Sequence, residues 1–453
     1  MMELRKRLLL EEDKDTESKL LGGINVKPVR IGLLGLGTVG TGVVRIIQGH
    51  QEDLQRQVGC PIVIERILVQ HVDKERPIHI DPSQLTEDPW SVIHNPDIDV
   101  IIEVMGGIGL AKEYILAALE RGKHVVTANK DLMAQHGQEI LQKAAEKGCD
   151  VFYEASVAGG VPILRTLVEG FSSDRIYKMM GIVNGTTNYI LTKMSQEGAS
   201  YDDVLTEAKE LGYAESDPTS DVEGYDAAYK MTILATLGFH AKINYSDVLV
   251  KGISKVRKED ILYAKRLGYE MKLLGIAENQ DGYISISVEP TMVKRDHPLA
   301  AVNGVFNAIY VYGEAVGETM FYGRGAGEMP TATSVVADIV AVIKNLKLGV
   351  NGRRGSISYV EKKIKTADQI ESKYFVLLHV EDKAGVLARI TQVFGQHEVS
   401  LESVIQQPNT NNPKAELVII THNASKASMD KVLATFKELD VVEEIQSVYR
   451  VEG

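Results

Sequence analysis

A chain of 453 residues is too long for one hydrophobic core and predicts two or three domains. Its 25 % charged and 44 % hydrophobic residues are an ordinary globular balance, and the formal net charge of −12 argues against a nucleic-acid or anionic-membrane surface. No run approaches the ~18 apolar residues of a membrane span, so neither nucleic acid nor membrane is an expected partner.

The opening MMELRKRLLLEEDKD has a short apolar core followed at once by acids, which is not a secretory signal. Residues 1–24 are set apart as an extension expected to be disordered. Cys60 and Cys149 each precede a strand-like run and form no CxxC, so they read as buried, inert thiols in a reducing cytoplasm.

In chain order, an apolar strand at 29–34 (VRIGLL) leads into Gly35-Leu36-Gly37-Thr38-Val39-Gly40 and then an apolar-periodic helix. Strands at 62–70, 98–104, 123–127 and 150–155 alternate with helices at 111–121 and 137–147. That alternation predicts an α/β unit, a Rossmann-like doubly wound parallel sheet over residues 25–155. From about 156 to 329 the pattern becomes α+β, with Gly-rich turns and strands near 245–253 and 283–291. A helix with proline near its start follows at 330–348. Residues 349–372 read as a linker. Residues 373–453 then run strand (374–380), helix (386–397), strand (399–406), the polar loop PNTNNPK, strand (415–421), helix (426–438) and strand (441–449), the βαββαβ order of a ferredoxin-like unit.

A glycine turn between a strand and a helix is a dinucleotide signature. The first glycine makes the turn, the second admits the pyrophosphate and the third allows close helix–strand packing, with the phosphates at the positive helix end. Gly35, Gly37, Thr38, Val39 and Gly40 are the cofactor-binding candidates. After the second strand the chain reads Gln70-His71-Val72-Asp73-Lys74-Glu75-Arg76. Lys74 and Arg76 favour a 2′-phosphate and hence NADP, while Asp73 keeps NAD open.

The second dense stretch is 212–230, GYAESDPTSDVEGYDAAYK. Glu215, Asp221, Asp226 and Lys230 run from a Pro-broken loop into an apolar helix, and Asp226 and Lys230, four apart, share one helical face. A half-buried lysine beside carboxylates is suited to holding and moving a proton, although the same spacing also describes a plain surface ion pair.

GLLGLGTVG (32–40), VTANKDLMA (126–134), YEASVAGGVPI (153–163), VNGTTNYIL (183–191) and the 212–230 segment together resemble homoserine dehydrogenase. The resemblance runs from about Val29 to Leu348. It implies NAD(P)-dependent interconversion of L-homoserine and L-aspartate 4-semialdehyde, on the route to threonine and methionine. It implies further that Lys230 moves the proton at the substrate oxygen, assisted by Lys130 between nicotinamide and substrate. Glu215 would hold the substrate ammonium, and Asp221 and Asp226 would complete the site. Gly185 and Gly327 would line the cofactor, and the carbonyls of Glu154, Val157, Gly159 and Val161 would hold Na⁺. Helix 330–348 would return to the nucleotide domain. Relatives often carry Arg-Asp or Lys-Asp where Gln70-His71 stands, which bears on strict NADP preference.

Residues 374–450 resemble an ACT domain, a regulatory module for small ligands, with Gly385 just ahead of a helix in EDKAGVLARI. Feedback by L-threonine and a homo-oligomer, dimer or tetramer, are the implied expectations. Two rival readings are weighed. A phosphorylating semialdehyde dehydrogenase needs a reactive thiolate, a setting neither cysteine has. A non-catalytic NAD(P)- and amino-acid-sensing regulator needs no Lys130/Lys230 pair. An aspartokinase fusion is not expected, since no kinase-sized segment precedes Val29.

Overall fold

Six short strands, β1 (Val29–Leu34), β2 (Ile62–Leu68), β3 (Leu85–Thr86), β4 (Val100–Glu103), β5 (His124–Thr127) and β6 (Val151–Phe152), form a wholly parallel sheet in the order β3-β2-β1-β4-β5-β6. The computed structural model describes residues 27–352, 359–408 and 414–453; the extension at 1–24, the middle of the expected linker and most of the PNTNNPK loop lie outside them. Helices cover both faces of the sheet, so its inner strands are unbroken apolar runs. Ile31, Leu33 and Leu34 of β1 and Val100, Ile101 and Ile102 of β4 are fully buried. The strand order reverses between β1 and β4, which opens a crevice at their carboxyl ends.

Several expected boundaries move. The helix placed at 137–147 begins at Lys130, because Asn129 caps it by accepting from the Leu132 amide. The strand placed at 150–155 ends at Phe152, and Glu154–Ser156 turn as a short 3₁₀ helix. The segment 245–253 holds only a three-residue strand, since Tyr245–Asp247 is another such turn.

A second, mixed sheet is built from β7 (Ile176–Ile182), β8 (Val248–Val250), β9 (Tyr269–Gln280), β10 (Tyr283–Lys294), β11 (Phe306–Gly313), β12 (Gly317–Arg324), β13 (Lys363–Ile364), β14 (Glu371–Glu381), β15 (Leu401–Pro408), β16 (Lys414–Thr421), β17 (Ala424–Ser425) and β18 (Val442–Glu452). β9 and β10 form a long hairpin on Asp281-Gly282, both at positive φ. The Tyr225–Gly238 helix lies against this hairpin and against the Lys130–Lys147 helix.

The carboxyl-terminal βαββαβ unit has the strand order β18-β14-β16-β15, with the Val386–Gln396 and Lys426–Glu438 helices sharing its core around Phe394 and Phe436. It is not a bead on a string. β18 pairs in parallel with β10, Thr291 opposite Arg450 and Val293 opposite Glu452, so one sheet runs through both regions. The stretch read as a linker also carries structure: β13 pairs with β10, and Val360 bridges Ala241.

The Glu328–Leu348 helix, with Pro330 in its first turn, returns to pack on the Thr38–Gly49 helix. A Cβ on Gly42 would come within 2.8 Å of the Ala332 Cβ, so glycine sets that close approach. By length and composition this helix alone, among the described residues, is apolar enough to cross a membrane. Here Ala332, Val335, Ile339, Val342 and Ile343 belong to the nucleotide-domain core.

Candidate active site

The glycine turn has the geometry that a dinucleotide needs. Gly35 sits at φ +104, and a Cβ there would press on the Val104–Met105 backbone at 3.0 Å. A Cβ on Gly40 would overlap the Gly35 carbonyl oxygen, so helix and strand meet only through glycine. At Gly37, just before the helix, a Cβ would meet nothing within 4 Å. The first-turn amides of Thr38, Val39 and Gly40 follow it, with no hydrogen-bond partner among the described residues, and no acid stands in that turn to repel a phosphate.

Across the crevice, buried Glu103 ends β4. Its carboxylate accepts from Thr127 Oγ1 at 2.6 Å and from the amides of Met105 and Gly106 at 2.9 and 3.1 Å. Burial pushes this carboxyl up against the opposing pull of those donors. Thr127 Oγ1 accepts from the Asn129 amide, and Asn129 Nδ2 donates to the Gly107 carbonyl. The network fixes the two loops between which Lys130 emerges, on the first residue of its helix.

Lys130, Asp226, Lys230 and Asp221 converge. Asp226, 6 % exposed, lies in the first turn of the Tyr225–Gly238 helix, entered through Gly224 at φ +82. Its Oδ2 is 2.7 Å from Lys230 Nζ and its Oδ1 is 3.2 Å from Lys130 Nζ. Lys230 also donates to the Val183 carbonyl at 2.8 Å. Burial by itself would raise the Asp226 carboxyl; the two lysines reverse that and hold it at about 2. Burial likewise works against the charge on Lys130, but Asp226 wins and raises its pKa. Asp221 is raised, by burial first, with Asp226 adding to the effect.

Asn184 joins the two carboxylates. Its Nδ2 donates to Asp221 Oδ1 at 2.7 Å and to Asp226 Oδ2 at 2.8 Å. Its Oδ1 caps the Gly185–Glu197 helix by accepting from the Thr187 amide and hydroxyl. The cap fixes which amide edge faces the acids. Neither Asn184 nor Glu103 is among the residues singled out from sequence. The Asn-Gly-Thr-Thr run signals a helix cap, and an acid closing an all-apolar strand is itself a signal.

Glu215 stands apart. It is exposed on the loop after the Tyr201–Glu210 helix and forms no hydrogen bond or ion pair among the described residues. Gly185 opens its helix, and a Cβ there would lie 2.9 Å from the Val305 carbonyl oxygen. Gly327, at φ +121, starts the return helix. In the 154–161 loop Ala158 and Gly159 both have positive φ. The Glu154 carboxylate accepts from the Leu164 and Arg165 amides, while the Gly159 carbonyl accepts from Ser334 Oγ at 2.7 Å. At the far end of β2, Arg76 donates to the carbonyls of His71, Val72 and Lys74 and so braces its own turn, leaving Lys74 the exposed cation. Both cysteines are buried and unpaired, and burial pushes the Cys149 thiol up to about 11.

Comparison with known families places the chain. Residues 35–154 match the model for the NAD-binding domain of homoserine dehydrogenase, 162–340 the model for homoserine dehydrogenase, and 374–441 that for the ACT domain. The homoserine dehydrogenase of Bacillus subtilis is 56 % identical over 429 residues, covering 94 % of this chain and 99 % of the relative. The chain belongs to the homoserine dehydrogenase family. A crystal structure of the homoserine dehydrogenase from Thiobacillus denitrificans superposes with a TM-score of 0.89 at 38 % identity, covering 94 % of this chain and 98 % of that one. A hyperthermophilic archaeal homoserine dehydrogenase solved in complex with NADPH aligns over 71 % of this chain and 98 % of its own, with 28 % identity and a TM-score of 0.59. The chain is thus an NAD(P)-dependent enzyme of this family, with a Rossmann-like nucleotide domain, a separate substrate region and an ACT domain.

Proposed function

We propose that the enzyme interconverts L-homoserine and L-aspartate 4-semialdehyde by direct hydride transfer, serving threonine and methionine synthesis, with Lys230 as the proton carrier. The supporting observation is the pairing of Lys130 and Lys230 on opposite oxygens of buried Asp226, beside the carboxyl ends of the parallel strands. A bound nicotinamide supplies or accepts the hydride. Reduction builds negative charge on the aldehyde oxygen, which two cationic side chains are placed to offset. Lys230 gives that oxygen its proton and takes it back in the oxidising direction. Asp226 and Val183 aim the Lys230 amine, and Asp221 and Asn184 hold Asp226. Glu215, on its exposed loop, is the proposed partner of the substrate ammonium.

The glycine turn, Thr38, Val39, Gly185 and Gly327 are the proposed cradle of the cofactor. The preferred cofactor is NADP, as named for the archaeal relative's complex, with Lys74 meeting the 2′-phosphate and Asp73 leaving NAD usable. Na⁺ would be held by the carbonyls of Glu154, Val157, Gly159 and Val161; a carbonyl that already accepts one hydrogen bond keeps a second lone pair for an ion. The working division is a nucleotide domain over 25–155 with the return helix, a substrate and dimerisation domain over 156–329, and a regulatory domain over 373–453 that binds L-threonine at the Gly385 turn. A cytoplasmic homo-oligomer completes the proposal.

Spectrophotometric assay of L-homoserine oxidation with NADP and then NAD, with and without L-threonine, tests it. Turnover establishes the reaction, and the ratio of the two cofactors tests the role of Lys74. Folded protein that binds a cofactor but turns over nothing would instead support the sensor reading.

A further inference from the structure

A cavity of about 340 Å³ lies where β8 and β10 meet β14, β18 and the Lys426–Glu438 helix of the ACT domain, at the small end of the range for ligand sites. It originates in the way β10 is paired. One edge of β10 runs along β9 throughout; the other is shared in turn by β13 at Tyr283–Ile284, β8 at Ile286–Val288 and β18 at Thr291–Val293. Glu289 and Pro290 fall between β8 and β18, and the void lies at this parting.

Ser287 and Ser372 line the cavity from opposite sides, one on β10 and the other on β14. Each is only 6 % exposed, and neither hydroxyl has a hydrogen-bond partner among the described residues. Two unpaired buried hydroxyls facing one void call for a partner within it. Glu289 projects from the same face of β10 as Ser287, two residues on, and its carboxylate lies within electrostatic reach of Lys251 and Arg450, which also line the cavity. Lys251, on the facing wall, spends one of its three donors on the Val448 carbonyl. Met429 and Leu433 supply an apolar wall. A carboxylate, an ammonium and two hydroxyls around an apolar patch match a molecule bearing both charges and a short side chain.

The same strands touch the catalytic helix. A Cβ on Gly224, the residue that opens the helix of Asp226 and Lys230, would lie 3.2 Å from Val288 and 3.3 Å from Val250. The Ile253 amide donates to the Val222 carbonyl at 2.7 Å, one residue beyond Asp221. Any change in the spacing of β8 and β10 therefore bears directly on the segment holding both carboxylates.

We infer that this cavity is a binding site for a small zwitterionic α-amino acid, separate from the Gly385 turn, whose occupancy is coupled to the helix carrying Asp226 and Lys230. In the test, the full chain is screened by thermal shift against the proteinogenic L-amino acids one at a time, and the strongest stabiliser is carried to calorimetry and hydrogen exchange. Binding should slow exchange at 248–253 and 285–291, change kcat, and vanish for the N-acetylated form of the same amino acid. In Glu289→Gln the Kd should rise about tenfold, the loss of one charge-assisted contact. Ser372→Ala should weaken binding in the same direction and serves as the readout if Glu289→Gln does not fold. Absence of binding by every amino acid, unchanged affinity in the variants, or protection confined to 382–390 would each overturn the assignment and leave the cavity to water.

Discussion

Asp226 and Lys230 face each other one turn apart on a single helix, 2.7 Å between Oδ2 and Nζ, with the carboxylate almost wholly buried. The helix thus carries both the proton-moving amine and the group that aims it. Replacing Lys230 by alanine should lower kcat by ~10²–10⁴. Cofactor affinity, measured separately by fluorescence titration, should hardly change, because the contacts of Lys230 are to Asp226 and the Val183 carbonyl and not to the glycine turn. An unaltered kcat would remove Lys230 from the chemistry.

Asn184 is expected to act through the two acids it joins. Asn184→Asp places a third carboxyl beside Asp221 and Asp226, and like charge raises the pKa of each. The acid limb of the kcat profile should therefore move to higher pH, a change that a purely structural cap would not produce. Asn184→Ser can still cap the helix but loses the bridging amide, and should reduce kcat by about tenfold while leaving stability close to that of the parent.

The carboxyl of Asp226 stays near 2 in the folded protein, below its ordinary 3.8. Because the folded value is the lower one, its contribution to stability is complete above about pH 4 and is lost as pH falls through about 2. Urea unfolding over that window should show the parent losing stability more steeply than Asp226→Asn. Parallel slopes would mean that the carboxylate is not ion-paired in solution.

Gly37 and Gly40 should separate folding from cofactor binding. Gly37→Ala faces open space and should leave Tm unchanged while raising the cofactor Kd by about tenfold, as the methyl occupies the phosphate approach. Gly40→Ala drives its methyl into the Gly35 carbonyl and should lower both stability and affinity.

Asp338, fully buried on the return helix, accepts from the Glu154 amide at 2.8 Å and from the Arg165 guanidinium at 2.6 Å. Asp338→Ala leaves Arg165 without that partner and should cost ~3–5 kcal/mol in denaturant unfolding. It would also release the loop proposed to hold Na⁺, so any sodium dependence of the rate should weaken with it.

Much of this was legible from sequence because the signals are local. The glycine turn after an apolar strand, the alternation of strands and helices, and the four-residue spacing of Asp226 and Lys230 each lie within a short window. What was not legible depends on contacts distant in the chain. Asn184 could be read as a helix cap, but its second face meets acids some forty residues away. The Lys130–Lys147 helix begins earlier than its apolar period suggests, because its first turns mix polar residues with Gly137 and the Asn129 cap marks its origin. β13 is invisible to pattern because a two-residue strand carries no period of its own; it forms along the edge that β10 offers. Glu215 is plain as part of a motif, and in the folded chain it lies on an exposed loop, with no hydrogen bond or ion pair to the acids and lysines of the site among the described residues.

The sharing of β10 with β18 has a consequence for how the protein is made. β18 leaves the ribosome long after β10, and at ~5–20 residues per second the interval is roughly ten to thirty seconds. Throughout that time Thr291–Val293 present an unpaired edge, able to recruit a strand from another nascent chain. Translation speed across the ACT-coding region, rather than the intrinsic stability of the catalytic region, then sets how long each newly made chain is exposed to misassembly.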